Sequence, residues 1–422
     1  MLVLIRQAKI VDQRSEFHNK KADILIENGI IKDIAAGLDA TADTVIEQED
    51  LHVSQGWVDI FADYREPGYE QKESISTGLA AAAAGGFTNV LLLPNTNPVI
   101  DNKSVVEFVQ HKAKGHAVSV HPLGAVTKNI EGKNLAEMLD MHTHGAIAFT
   151  DGWKPVQNPN LLLKALEYVK AFDGTVIQLP VDTALSAGGL MHEGPVSTRL
   201  GMAGMPALAE TLFIHRDLEL LRYTGSRLHI TGVSTAEGID MIRKAKAEGL
   251  HVTCSVTPYH LTLTDEALNS YSSLYKVMPP LRPEADRLAL IAGIKDGTVD
   301  CITSHHRPQE WDAKEKEFEY AADGMNIQEM AFRIVWEALG EEIGIEKLVN
   351  LFALTPRAIF GLKADDIAKG NKAELTFFTT KGKATVDGKT MKSASRNNPF
   401  IGKELAGQVV GILSNTSLHI NI

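Results

Sequence analysis

Three apolar stretches of the chain end in side chains that could bind a metal ion or move a proton. The stretch VDIFA is followed by Asp63 and Arg65, AIAFT by Asp151, and VDCITS by His305. Carboxylates and imidazoles are common ligands of catalytic zinc, and they are also common general acids and bases. An acid–base mechanism that used Asp63, Asp151 and His305 without a metal would lack a Lewis acid to stabilise the developing negative charge.

Strand-like and helix-like segments alternate through the middle of the chain. The strands are near-continuous apolar runs such as TNVLLLPN, and the segments between them repeat apolar residues at three- and four-residue spacing. About eight such units over roughly 250 residues predict a closed α/β barrel, whose chemistry lies at the carboxyl ends of its strands. The rule selects one set of strand-end residues: Phe61 to Arg65, Asn95, Asp151, Leu179 to Asp182, Gly232, Pro258 to His260 and His305 to Gln309.

Both ends of the chain have a different character from this middle part. Residues 1–53 and the tail from 366 contain short runs with period-two alternation, and Asn28-Gly29 is a typical hairpin turn pair. We therefore predict that the two ends pair into one small β domain. The predicted division is 1–53, 54–365 for the barrel, and 366–422.

The composition limits the partners and the compartment of this chain. Its 422 residues have a formal net charge of −11, which argues against nucleic-acid or anionic-membrane partners. No signal-peptide pattern or run of 18 apolar residues occurs, so we predict a cytoplasmic protein. The two cysteines, Cys254 and Cys301, lie in apolar strand-like runs and are predicted to be buried and unreactive.

Several longer segments follow one another in a recognisable order. They are DYREPGYEQKESISTGLAAAAAGGFTNVLLLPNTNPV, GGLMHEG, RLHITGVSTA, VTCSVTPYHLTLT, PPLRPEADR and TPRAIFGL. This set resembles the class I dihydroorotases of the amidohydrolase superfamily over nearly the whole chain. The resemblance implies a (β/α)8 TIM barrel of the metal-dependent amidohydrolase type, flanked by a small β-sandwich built from both termini.

The resemblance also implies a reaction. The family hydrolyses the ring amide of dihydroorotate, and the reverse closure is a step of pyrimidine biosynthesis. One or two zinc ions would polarise the carbonyl group and lower the pKa of a bound water to about 7.

Most of the zinc-ligand positions that the resemblance implies are altered in this chain. Asp151 is unchanged, whereas Asp63 and His305 differ from the family residue but could still bind a metal. Three further positions hold side chains that cannot coordinate a cation: Phe61, Leu179 and Gly232. Because a catalytic zinc site needs about three protein ligands, we expect no cofactor. Zinc is expected only if Asp63, Asp151 and His305 bind a single ion.

The implied substrate-binding positions are mixed. Arg65 and Asn95 match residues that hold the substrate carboxylate in the family, whereas Met278 and Gln309 replace a family asparagine and histidine. Arg65 and Asn95 could instead serve only to bridge and cap loops. The run His305 to Arg307 is predicted to form a basic cluster, which either binds an anion or fills the vacated metal site with satisfied polar groups.

Other histidines have simpler interpretations. His142 and His144 form an H-x-H pattern in DMHTHG, but they precede the strand AIAFTD and therefore belong to the opposite, amino-terminal face of the barrel. His229 and His260 occur in segments that the family shares, and we predict that they pack near the sixth and seventh strands.

Three functions remain open at this point. The preferred prediction is a dihydroorotase-like pseudoenzyme that acts as a structural or regulatory partner and forms a homo-oligomer. The resemblance to the family suggests aspartate transcarbamoylase as the partner. One alternative is an active cyclic amidohydrolase with a single metal ion. The other is a small-anion binding module that uses Arg65, Asn95 and the cluster His305 to Arg307.

Overall fold

The computed structural model describes residues 1–421. Its strands are numbered in chain order: β1 Leu2–Val11, β2 Lys21–Glu27, β3 Ile30–Ala35, β4 Thr44–Ile46, β5 Leu51–Gln55, β6 Trp57–Ala62, β7 Phe87–Leu92, β8 Ser119–Pro122, β9 Val176–Gln178, β10 Met191–His192, β11 Gly204–Met205, β12 Leu228–Ile230, β13 Val252–Val256, β14 Cys301–Ile302, β15 Leu375–Thr385, β16 Glu404–Ser414 and β17 Ser417–Ile420.

The α-helices are numbered in the same way: α1 Ile75–Ala84, α2 Lys103–Lys112, α3 Met138–Thr143, α4 Pro159–Lys170, α5 Pro195–Leu200, α6 Leu208–Thr224, α7 Ala236–Ala247, α8 Pro258–Thr262, α9 Glu284–Asp296, α10 Trp311–Lys314, α11 Ala331–Ile343, α12 Ile345–Val349 and α13 Thr355–Phe360. Short 3-10 turns and one π-helical turn, Asn350–Leu354, complete the helical structure. Within residues 1–421, every helix is too short or too polar to cross a membrane.

Parallel strands form the predicted barrel. β6, β7 and β8 are neighbours in one sheet, and β9, β12, β13 and β14 are neighbours in another. Phe149 joins the two sheets, because it forms parallel bridges with Gly124 on one side and Val176 on the other. The predicted strand AIAFTD is therefore reduced to bridges at a single residue. The first and last barrel strands, β6 and β14, meet where the barrel closes. There the backbone N–H of Asp63 donates to the carbonyl oxygen of His306 at 2.9 Å.

A buried carboxylate in the first barrel strand holds the end of the last one. Asp59 accepts hydrogen bonds from Thr303 Oγ1 at 2.8 Å, from the backbone N–H of Ser304 at 3.0 Å, and from Gln328 Nε2 at 2.6 Å. Burying a carboxylate is costly unless such donors surround it. Asp59 therefore fixes the backbone that carries His305 relative to β6.

The two ends of the chain share one sheet, as predicted. Its strand order is β17-β16-β15-β5-β1-β2-β3, with β4 beside β1. The Asn28-Gly29 pair turns β2 into β3, with φ values of 50° and 77° that suit asparagine and glycine. A separate set of buried side chains, which includes Ile24, Val53 and Phe377, forms the core of this β domain. The predicted boundaries at 53 and 366 remain predictions.

The connection between β15 and β16 reaches back to the barrel. We call its residues 391–398 the C-terminal strap. Asn397 Nδ2 donates to the carbonyl oxygens of Arg307 and Gly324, both at 3.0 Å, and the backbone N–H of Gln309 donates to Asn397 Oδ1 at 3.0 Å. The strap therefore binds the segment that follows β14, at the carboxyl end of the barrel.

Both cysteines lie where the sequence predicted. Cys254 in β13 and Cys301 in β14 are fully buried, free thiols. Burial raises the pKa of Cys254 to about 12, and it also raises the pKa of Cys301 well above its usual value. Because a reactive cysteine needs an accessible thiolate, the prediction of unreactive thiols agrees with these surroundings.

Candidate active site

Three rings lie against one another at the carboxyl end of the barrel. The centroid of the His305 imidazole is 4.5 Å from that of Phe61 and 5.5 Å from that of Trp153. Phe61 and Trp153 meet edge to face at 5.1 Å. Phe61 and His305 are buried, so this aromatic cluster occupies the space between the ends of β6 and β14.

The imidazole of His305 also covers Gly232 at the end of β12. A Cβ atom on residue 232 would lie 2.4 Å from His305 Cε1, and the backbone there has a φ of 68°. Any side chain at this position would therefore be strained and would collide with the ring. His305 itself has a φ of 47°, which is uncommon for a residue other than glycine and directs its side chain toward β12.

The two nitrogens of His305 have different surroundings. Nε2 lies 2.8 Å from Thr231 Oγ1, whereas Nδ1 is buried and has no hydrogen-bond partner. Burial, together with the nearby His260, His229 and Arg307, lowers the pKa of His305 well below its usual value. The ring is therefore neutral, and it fills space rather than adding positive charge.

One carboxylate oxygen of Asp63 forms both a hydrogen bond and an ion pair. Its Oδ2 accepts from Trp153 Nε1 at 2.6 Å and pairs with Arg65 Nη2 at 3.0 Å. Its Oδ1 is buried without a hydrogen-bond partner. Asp63 thus anchors the indole of Trp153 in the aromatic cluster.

Asp151 faces a different partner. Its Oδ1 accepts from the backbone N–H of Thr127 at 2.9 Å, and its Oδ2 accepts from Thr127 Oγ1 at 2.5 Å. Burial raises the pKa of Asp151 to about 6, although the Thr127 hydrogen bonds act in the opposite direction. The carboxylate therefore holds the loop that follows β8.

Arg65 and Asn95 link neighbouring loops. Arg65 Nη1 donates to the carbonyl oxygen of Asn95 at 3.1 Å. Asn95 Nδ2 donates to the carbonyl oxygen of Asp151 at 3.2 Å, and its Oδ1 accepts from the backbone N–H of Trp153 at 3.3 Å. These contacts agree with the alternative in which Arg65 and Asn95 bridge and cap loops. Substrate binding by the two residues stays a prediction.

The donor set does not fit zinc. The best candidates, Asp63, Asp151 and His305, are each bonded to a different protein partner, and Leu179 is a buried side chain without a donor atom. A catalytic zinc site requires about three convergent ligands. Within residues 1–421, no three His, Cys, Asp or Glu side chains lie close enough together to hold a metal ion. The structure thus does not bring Asp63, Asp151 and His305 into one donor set.

Comparison with known proteins decides the family. Residues 52–238 match a family model described as "Dihydro-orotase-like". The dihydroorotase of Syntrophus aciditrophicus is 39% identical over 414 residues, which cover 97% of each chain. That of Syntrophobacter fumaroxidans is 40% identical over 415 residues, covering 96% of this chain and 94% of the relative. This chain belongs to the dihydroorotase family.

Solved structures confirm the predicted fold of this dihydroorotase homologue. The L-hydantoinase (dihydropyrimidinase) of Arthrobacter aurescens superimposes with a TM-score of 0.85 at 21% identity, covering 100% of this chain and 97% of that one. Dihydropyrimidinase from Brevibacillus agri gives a TM-score of 0.83 at 21% identity, covering 100% and 95%. The TIM barrel of the amidohydrolase type with a flanking β-sandwich is therefore correct.

The predicted basic cluster of His305, His306 and Arg307 is wrong, because the three side chains leave the backbone in different directions. His305 is neutral within the aromatic cluster. His306 Nε2 faces Glu73 Oε2 at 3.4 Å, away from that cluster. The guanidinium of Arg307 stacks on Trp153, 4.3 Å from the ring centroid.

The other four histidines that the sequence analysis considered form contacts within the protein itself. His142 and His144, at the end of α3, each place Nδ1 near a backbone carbonyl oxygen, that of Ala146 at 3.1 Å and that of Asp140 at 2.7 Å. His229 lies between Thr253 and Ser255 of β13, and His260 Nε2 is 3.2 Å from the carbonyl oxygens of Pro279 and Pro280. These contacts agree with the predicted structural roles.

The two altered substrate positions also have protein neighbours. Gln309 accepts from Lys72 Nζ at 2.9 Å and donates to the carbonyl oxygen of Asp323 at 2.7 Å. Met278 lines a small cavity beside Pro180 and Arg282. The Gln309 side chain is thus tied to the loops around the barrel mouth.

Sequence reasoning missed Trp153 and Thr127. Trp153 follows Asp151 by two residues, and it is one of only four tryptophans in the chain. A large ring directly after a strand end was the only available signal, because nothing local indicates that an indole turns toward His305. Thr127 gave no signal, since its contact with Asp151 joins loops 24 residues apart.

Proposed function

We propose that this dihydroorotase homologue does not hydrolyse dihydroorotate and acts instead as a structural or regulatory binding partner. The proposal is supported chiefly by the position of His305. Its imidazole occupies the space that a side chain at residue 232 would need, so the ends of β12 and β14 cannot both supply ligands to one metal ion. Phe61 and Trp153 occupy the adjoining space with rings that donate no electron pair to a cation.

A turnover assay tests the loss of catalysis. The purified chain is incubated with dihydroorotate and with the ring-opened acid, with and without added zinc, beside the Syntrophus aciditrophicus dihydroorotase as a matched positive control. We expect turnover by the control only. Zinc-dependent turnover by this chain that disappears in His305→Ala would contradict the proposal.

The partner we propose is aspartate transcarbamoylase. This choice rests on the family resemblance, since no single residue of the chain identifies the partner. Size-exclusion chromatography with light scattering, using the transcarbamoylase from the same organism, tests it. One shared peak is the expected result, and two independent peaks at micromolar concentrations would count against it.

The mass of this chain alone in the same experiment tests the predicted homo-oligomer.

An active amidohydrolase is the second candidate. Identity of 39–40% to curated dihydroorotases over nearly the whole chain favours it. In that case Asp63, Asp151 and His305 would bind one zinc ion, which would activate water and polarise the ring carbonyl. Asp63 would have to release Trp153, and Asp151 would have to release Thr127, before both could face the same ion.

A small-anion binding module is the third candidate. A cleft of about 390 Å³ beside the barrel mouth is lined by Arg65, Tyr69, Asn95 and Lys154, among other residues. A carboxylate or phosphate would suit the two cations. Thermal unfolding with inorganic phosphate and with small dicarboxylates tests this function, because a ligand at 100 times its Kd stabilises the folded state by about 2.7 kcal/mol.

A further inference from the structure

Two large aromatic side chains are exposed on the loop that follows the last barrel strand. We call residues 310–324 the β14 lobe. Trp311 is 77% exposed and Tyr320 is 70% exposed. Trp and Tyr dominate the energetics of protein interfaces because they bury a large rigid surface at low entropic cost. A single exposed apolar residue needs no explanation, but two such rings on one short lobe do.

The backbone beneath these rings is firmly held. Lys314 Nζ donates to the carbonyl oxygens of Ala322 at 2.8 Å and Gly324 at 3.3 Å. Lys276 Nζ donates to those of Phe318 at 2.8 Å and Glu319 at 2.9 Å. Two buried lysines thus cap four carbonyl groups of the β14 lobe.

Two further contacts tie the arms of the lobe to each other and to the barrel. The backbone N–H of Ala322 donates to the carbonyl oxygen of Ala313 at 2.9 Å. Ser273 Oγ donates to the carbonyl oxygen of Lys314 at 2.6 Å. A surface that is ordered before binding loses less entropy when a partner covers it.

The exposed charges of the lobe have one dominant sign. The lobe carries a single exposed cation, Lys316, and four exposed carboxylates: Asp312, Glu315, Glu317 and Glu319. Among the described residues, these four side chains have neither an ion-pair nor a hydrogen-bond partner, whereas Arg222 elsewhere on the surface pairs with both Glu219 and Glu248. Unpaired acids and exposed aromatic rings on the same lobe complement a surface that presents lysine or arginine.

We propose that the β14 lobe is the surface through which this chain docks onto a protein partner, and that the partner presents lysine or arginine side chains around an apolar recess. The inference rests on the proposed function, in which the chain acts by binding. A second copy of the same lobe is a poor occupant, because like charges would face each other. Anionic membranes and nucleic acids are repelled for the same reason.

Affinity measurements with aspartate transcarbamoylase from the same organism as the probe test the assignment. Trp311→Ala and Tyr320→Ala should each weaken the complex at least tenfold, as truncation of a central interface aromatic usually does. Glu317→Lys should also weaken it, and the wild-type affinity should fall with rising salt. Tyr223→Ala is the matched control, since Tyr223 at the end of α6 is 78% exposed and lies outside the lobe. It should leave the affinity unchanged.

The outcomes separate this inference from the proposed function. If the wild-type chain forms no complex, the proposed partner is wrong and the assignment of the lobe falls with it. If the complex forms and the three lobe variants bind as tightly as wild type, the proposed function survives and the lobe is overturned. Unchanged thermal unfolding midpoints establish that the variants are folded, and Glu317→Lys removes no packed side chain.

Discussion

His305 and Gly232 show how one substitution constrains another within this site. The ring of His305 lies over the Gly232 backbone, so the missing side chain at residue 232 and the imidazole at residue 305 depend on each other. Introducing a single histidine at residue 232 would therefore not create a metal site. It would displace the ring that now fills the cavity.

A double-mutant cycle measures this dependence. Gly232→Ala should destabilise the protein by about 1–3 kcal/mol through overpacking against His305, and by a further roughly 1–2 kcal/mol through the left-handed backbone. In a His305→Ala background only the backbone contribution should remain. Urea unfolding of the four proteins gives the coupling free energy. Additive effects would show that the two residues do not touch.

Asp151 gives the stability of the protein a particular pH dependence. Its pKa is raised to about 6 in the folded chain from 3.8. A carboxyl group that holds its proton more tightly when folded stabilises the protein fully below pH 3.8, and this stabilisation is lost as the pH rises to about 6.

Asp151→Asn should remove that loss, because the amide retains an acceptor for the backbone N–H of Thr127 but cannot ionise. We expect the unfolding free energy of the variant, relative to wild type, to increase between pH 4.5 and pH 7, as measured by urea titration at both values. Asp312→Asn, at an exposed carboxylate, is the control. A difference that stays constant across this range would refute the assignment.

At the scale of elements, the C-terminal strap lies against the carboxyl end of the barrel. It belongs to the chain that builds the β-sandwich, yet it bonds to the segment after β14 through Asn397. The β domain therefore supports the barrel mouth directly. Neither local propensity nor periodicity predicted this contact, since it joins residues about 90 positions apart.

Asn397→Ala should loosen the strap. It removes three hydrogen bonds at a buried position, at a cost of about 1–3 kcal/mol. Backbone amides of residues 391–398 should exchange faster with deuterium, while those of α6 should not change. Lys389→Ala, at an exposed position in the same connection, serves as the control. Unchanged exchange in the strap would show that Asn397 does not hold it.

At the scale of the whole molecule, the sequence predicted the architecture better than it predicted the site. Helices such as α4 and α6 follow from apolar spacing, and the Asn28-Gly29 hairpin follows from turn chemistry. The predicted length of the fourth barrel strand, AIAFTD, was too great, because only Phe149 forms bridges there. The aromatic cluster was not predicted, because the directions of Trp153 and His305 are set by tertiary contacts with Asp63 and Thr231.

Rings fill the barrel mouth, and residues 1–421 offer no donor set for zinc there. Equilibrium dialysis against zinc, followed by metal analysis, tests this most directly when wild type is compared with a His305→Ala, Asp151→Asn double variant and with the Syntrophus aciditrophicus dihydroorotase. We predict that wild type binds no more zinc than the double variant, while the relative binds it stoichiometrically. One zinc ion per wild-type chain, lost in the double variant, would show that these residues do form a metal site.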